Sequence, residues 1–129
     1  MEKPDTPPKQ GFSILARLRS FGFAFSGIGF MLRTQHNAWL HLAATVLVVT
    51  AGTVLKISAS DWRWLVVAIA LVWVSEAFNT AFEHLCDVVS PQFHASVKFA
   101  KDIAAGAVLI AAIGAATLGL MVFVPYLVR

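Results

Sequence analysis

The sequence predicts an all-α integral membrane protein: an N-terminal amphipathic surface helix followed by three transmembrane helices. Two observations lead there. The 129 residues are 58% hydrophobic and only 13% charged, with a mean hydropathy of +0.74, whereas a soluble domain carries about 25% charged residues. A chain this short leaves much of its surface uncovered, so in water that apolar excess would be exposed. The second observation is where charge is missing. Residues 37–55 form a run of 19 and residues 103–128 a run of 26 without a formal charge. About 20 apolar residues in helical form cross a hydrocarbon core about 30 Å thick. Disorder is excluded by the same composition at a net charge of +3. A disulfide scaffold is excluded because Cys86 is alone.

Taken in order, residues 1–11 hold three of the five prolines and read as a disordered tail. Residues 12–129 read as one membrane domain. Ile14, Leu18, Phe21, Phe25, Ile28 and Leu32 then recur at spacings of four and three, with Arg17, Arg19 and Ser20 between them. That pattern is an amphipathic helix, suited to lie in the membrane interface with its basic side toward headgroups. The run over 37–55 is the first span. The second, Trp64 to Ser75, is 12 residues of apolar sequence interrupted by Glu76 and continued to Phe82. Ser58-Ala59-Ser60-Asp61 reads as a tight connection with an N-cap for this helix, and Ser90-Pro91 ends it. The third span is the run over 103–128. All three must be helices, because backbone groups in lipid are satisfied within the segment and three strands cannot close a barrel.

Orientation follows from lysine and arginine. Lys3, Lys9, Arg17, Arg19, Arg33, Lys98 and Lys101 fall on one side, and Lys56, Arg63 and Arg129 on the other. Seven against three puts the N-terminus and the second connection in the cytoplasm. Trp39, Trp62, Trp64 and Tyr126 fall near the boundaries, as interfacial aromatics do. The basic balance is thereby explained by the membrane, and nucleic acid is not needed.

Chemistry gathers on the acids. Of seven carboxylates, four are Glu76, Glu83, Asp87 and Asp102. At about 100° per residue, positions 76, 83 and 87 lie within about 20° of one direction on a helix. Asn79 and Thr80 flank that stripe, and Lys101 and Asp102 stand at the expected start of the third helix on the same side. Like charges on one face repel unless something positive sits there. Lys101 supplies one charge and closes a salt-bridged hairpin, which is a purely structural reading. A divalent cation supplies two, and oxygen-only ligands suit Mg²⁺ arriving with nucleotide phosphates. Glu76 lies deepest, a position fitted to general-base work. An ion-coupled transporter would also use an intramembrane acid. His84, Cys86 and His94 match no zinc spacing, and Ser26-Gly27-Ile28-Gly29 lacks the following Gly-Lys-Ser/Thr of a phosphate loop. The small residues of the third span, Gly106, Gly114 and Gly119 among them, allow helices to approach closely. Three helices scarcely enclose a site, so an oligomer is expected.

The segments Glu76-Ala-Phe-Asn79-Thr-Ala-Phe-Glu83-His-Leu-Cys-Asp87, Ser90-Pro91-Gln-Phe-His94 and Ala100-Lys101-Asp102-Ile-Ala-Ala-Gly106-Ala107-Val resemble the prokaryotic diacylglycerol kinase family, which includes the undecaprenol kinases. The resemblance runs from about Phe21 to Pro125. It implies a homotrimeric enzyme of the bacterial inner membrane that moves the γ-phosphoryl of ATP to a lipid hydroxyl, with Mg²⁺ as cofactor. The end of the chain and Thr34-Gln35-His36-Asn37 look closer to the undecaprenol kinase branch than to diacylglycerol kinase proper. By the family pattern Glu76 is the base and Asn79 orients the acid or the substrate. Glu83 and Asp87 belong to the metal–nucleotide region, Lys101 and Asp102 contact the nucleotide, and Arg19 sits near phosphates. Sites are composite between subunits. Many relatives carry a glutamate where this chain has Gln35, whose uncharged amide oxygen is a weaker Mg²⁺ ligand.

Overall fold

The computed structural model describes residues 13–128, which form four helices joined by short connections. The expected tail over 1–11 lies outside the described residues. Helix α1 spans Ile14–Thr34, α2 His36–Val54, α3 Ala59–Val89 and α4 Ala95–Leu127. Three of these, α2, α3 and α4, are long and apolar enough to cross a membrane, and α1 is the separate amphipathic helix that precedes them.

Ser13 caps α1, its hydroxyl accepting the Ala16 N–H at 3.4 Å. The helix ends where Gln35 turns extended (φ −107°, ψ 116°), a one-residue break before α2 starts at His36. Residues 13–28 are all exposed, and Met31 is the buried residue of α1. The apolar stripe of α1 is therefore uncovered by its own chain.

Helix α2 ends in a tight cap. The Ile57 N–H reaches back to the Gly52 carbonyl at 3.1 Å and the Lys56 N–H to the Thr53 carbonyl at 3.3 Å, with Lys56 at φ 49°. This pairing of two backward bonds around a left-handed residue is the Schellman arrangement. It folds Ile57 against Gly52, where an added Cβ would stand 3.1 Å from Ile57 Cδ1 and 2.9 Å from the Trp62 ring. Ser58 then caps α3, its hydroxyl accepting the Asp61 N–H at 3.1 Å. Ser90 ends α3 before Pro91, because proline disfavours helical backbone in the residue preceding it.

At 1.5 Å per residue the 31 residues of α3 and 33 of α4 run about 46 and 50 Å. Both exceed a hydrocarbon core of about 30 Å and must project from it. Helix α4 begins about two turns before Lys101-Asp102, where the sequence placed its start. His94 Nδ1 accepts the Ser96 N–H at 3.2 Å and sets that earlier beginning. The charges of Lys98, Lys101 and Asp102 mark where lipid ends, and a helix is free to continue past that point.

Helix α4 packs chiefly on α3, α2 also leans on α3, and α1 touches α2 and α3 lightly. The stripe that α3 buries is Leu65, Ala68, Val72, Glu76 and Asn79, at spacings of three and four. One end of this seam is apolar: Ile57, Leu65 and Val122 are buried, with Val48, Leu55, Trp62, Phe123 and Tyr126 packed around them. The Tyr126 hydroxyl donates to Asp61 Oδ2 at 2.7 Å and accepts the Ser58 N–H at 3.0 Å, tying α4 to the start of α3. Outward-facing Leu47, Val66, Leu71, Ile110 and Met121 are exposed, which suits helices whose solvent is lipid.

Candidate active site

The stripe of α3 that buries Leu65 and Val72 continues, without changing face, into Glu76 and Asn79. The helical period thus carries two polar side chains into the seam that begins as apolar core. Glu76 is 1% exposed and Asn79 6%. Both Glu76 oxygens and Asn79 Oδ1 are buried without a hydrogen-bonding partner. Buried polar groups are normally paired, because losing water without replacement costs free energy. A group left unpaired beside a cavity marks a place for a ligand. The cavity here is about 210 Å³, lined by Asn37, Leu40, His41, Glu76, Asn79 and Val108 among others. Nearby Thr80 is also buried, but its hydroxyl is spent on the Glu76 backbone carbonyl at 2.9 Å.

A second concave region lies beyond the end of α3. It has about 340 Å³, lined by Asp87, Ser90, Gln92, His94, Lys98, Lys101 and Asp102 among others. Lys101 Nζ donates to Asp87 Oδ1 at 2.9 Å, and Lys98 Nζ to Asp102 Oδ2 at 2.6 Å. The structural reading of Lys101 as the closure of the α3–α4 hairpin is therefore real, and it coexists with a polar pocket. Asp87 lies eleven positions after Glu76 on the helix, about 16 Å along the axis. Glu83 is half-buried between them.

The residues singled out from sequence thus fall into groups. Glu76 and Asn79 share the inner cavity, while Asp87, Lys101 and Asp102 share the outer one. Glu83, Arg19 and Gln35 line neither. Arg19 is exposed on the uncovered part of α1, and Gln35 is half-buried at the α1–α2 break, its side chain making no cap bond to α2.

Sequence reasoning missed His41. Its Nε2 lies 3.6 Å from Glu76 Oε2, and it too is buried without a hydrogen-bonding partner. Trp73 was missed as well: its indole N–H donates to Thr45 Oγ1 at 3.1 Å, linking α3 to α2. A histidine in a charge-free run was the available signal for the first.

Among the described residues, no group of three or more His, Cys, Asp or Glu side chains converges to hold a metal ion. One chain therefore builds no protein-only cage from them. Mg²⁺ asks for less, since it takes one or two carboxylates together with phosphate oxygens and water. Glu83 fits that demand as a half-buried carboxylate on the row between the two cavities.

Comparison with known proteins places the chain in a family. A model of the prokaryotic diacylglycerol kinase family matches residues 22–123, a stretch that includes both cavities and Gln35 but not Arg19. The chain is 36% identical over 109 residues to an undecaprenol kinase of Bacillus subtilis, covering 84% of this chain and 89% of that protein. It is 38% identical over 109 residues to a diacylglycerol kinase of Synechocystis, covering 84% of this chain and 62% of that longer protein. A buried carboxylate on a membrane-spanning helix, with a polar pocket beyond its end, thus sits in a chain that belongs to the prokaryotic diacylglycerol kinase family and is a membrane lipid kinase.

Proposed function

We propose that the chain transfers the γ-phosphoryl of ATP to the hydroxyl of a membrane lipid, with undecaprenol favoured over diacylglycerol. The observation that carries this reading is the buried carboxylate of Glu76, which has no hydrogen-bonding partner and faces a cavity it shares with Asn79. The lipid hydroxyl gives its proton to Glu76 as its oxygen bonds to the γ-phosphorus. The bond from that phosphorus to the bridging oxygen breaks, and ADP leaves. Asn79 orients the carboxylate or the hydroxyl. Asp87, Lys101 and Asp102 receive the nucleotide from the aqueous side, and Arg19 approaches its phosphates. Glu83 and Gln35 are the residues that would hold Mg²⁺, which neutralises charge on the phosphates. The row Asp87, Glu83, Glu76 leads from water toward lipid, so donor and acceptor meet from opposite ends.

Undecaprenol is favoured because the Pro125 ending and the Thr34-Gln35-His36-Asn37 segment resemble the undecaprenol kinase branch. The assembly is a homotrimer in the bacterial inner membrane, with the N-terminus cytoplasmic. Uncovered α1 supports self-association, as does the open space around Gly106, Gly114 and Gly119, where an added methyl meets nothing within 4 Å. The lysine and arginine asymmetry supports the orientation.

The test is phosphate transfer from labelled ATP to undecaprenol and to diacylglycerol in one lipid system. Glu76→Gln keeps the shape and removes the base, so turnover is expected to fall by about 10²-fold or more while the oligomer survives. Wild-type turnover in that variant overturns the assignment.

A further inference from the structure

We propose that His41 is a positioning residue for Glu76: its Nε2–H holds Oε2, leaving Oε1 turned toward the acceptor hydroxyl. The proposal rests on the reading of Glu76 as the base. A carboxylate at the end of a glutamate side chain rotates in a broad well, and a base works only when its lone pair is aimed at the proton it takes. Something must therefore stop Glu76 from turning. The described hydrogen bonds do not, since neither of its oxygens has a partner.

His41 faces it from α2, at 3.6 Å from Nε2 to Oε2. A hydrogen bond needs about 2.7–3.2 Å, so the gap closes with less than about 1 Å of movement. Catalytic contacts are commonly long before substrate arrives and tighten in the complex. Both atoms are buried and unpartnered, and both side chains line the same cavity. The remaining lining residues, among them Asn37, Leu40, Ala105, Val108 and Leu109, include no other titratable side chain.

The backbone that carries the imidazole is itself held, and a ring stands against it. The Thr45 hydroxyl donates to the His41 backbone carbonyl at 2.7 Å, and the Trp73 indole N–H donates to that same hydroxyl at 3.1 Å. The Trp73 ring stands edge-on to the imidazole, with centroids 6.4 Å apart. Trp73 lies three residues before Glu76 on α3. The bond that docks α2 on α3 is thus less than one turn from the carboxylate it helps to aim.

The experiment uses the full chain in mixed micelles, with undecaprenol and a diacylglycerol as acceptors. His41→Gln keeps an N–H donor near the Nε2 position; His41→Met has similar volume and no donor. The methionine variant is expected to lose kcat about tenfold or more, with the KM for ATP unchanged. The glutamine variant recovers most of it. Should His41→Met fail to assemble, His41→Phe keeps a ring against Trp73 without the donor and takes its place. Wild-type kcat in the donor-free variant overturns the proposal. Equal loss in the glutamine and methionine variants overturns it too, because packing alone then explains the effect. Glu76→Gln is assayed beside them: if it is inactive while His41→Met is normal, only the positioning role falls, and if it is active, the base reading falls first.

Discussion

Gly52 and Glu76 illustrate how differently single residues declare themselves. At Gly52 the absent side chain is what lets Ile57 and the Trp62 ring close over the end of α2, with a virtual Cβ only 2.9 Å from that ring. Gly52→Ala is therefore expected to destabilise the fold by about 1–3 kcal/mol, the usual cost of overpacking. Thermal unfolding in detergent measures it, and an unchanged Tm would mean that Trp62 moves aside freely. Nothing in the sequence around Gly52 announces this, since the contact depends on how Trp62 folds back across the connection. Glu76 was legible because a carboxylate inside an apolar run has few harmless explanations. His41 was not, because its partner lies on another helix and an isolated histidine in a span specifies no distance. The Trp73–Thr45 bond was hidden for the same reason.

Helices α3 and α4 are clasped at both ends by polar side chains. Near the start of α3, Tyr126, Asp61 and Ser58 bond to one another beside the buried Ile57–Leu65–Val122 core. At the other end, Lys101 bridges to exposed Asp87, a solvent-facing pair of the kind that adds little to stability. Tyr126→Phe is expected to lower the Tm and leave the KM for ATP unchanged. If Lys101 contacts the nucleotide as proposed, Lys101→Gln is expected to leave the Tm unchanged and raise the KM for ATP about tenfold, the size of one lost charged contact. The reverse pattern would make the Lys101 bridge purely structural. The first and third spans were readable from charge-free runs, the second from an apolar run continuing past Glu76, and the Ser58 and Ser90 boundaries from capping and proline chemistry. The start of α4 was not, because hydropathy reports where lipid stops, whereas a helix ends where its caps are.

One chain leaves the inner and outer cavities about 16 Å apart along α3, with Arg19 and Gln35 lining neither. A homotrimer resolves this if the Glu76 of one subunit works with the Lys101 region of its neighbour. Mixing Glu76→Gln subunits with Lys101→Gln subunits at ATP well below the wild-type KM, where each alone is weakly active, is then expected to restore about a quarter of wild-type sites by random pairing around a ring. No restoration on mixing would place both residues of each site in the same subunit. The long α3 has one more consequence. Glu76, Glu83 and Asp87 ride on a single unbroken rod, so a thicker or thinner bilayer moves them as one body. The spacing between the Glu76 cavity and the Asp87 pocket of one chain is insulated from the membrane, while the depth at which a lipid presents its hydroxyl is not. In vesicles of graded acyl length, the KM for the lipid should drift and the KM for ATP should stay level; a drift in both would mean that the rod bends.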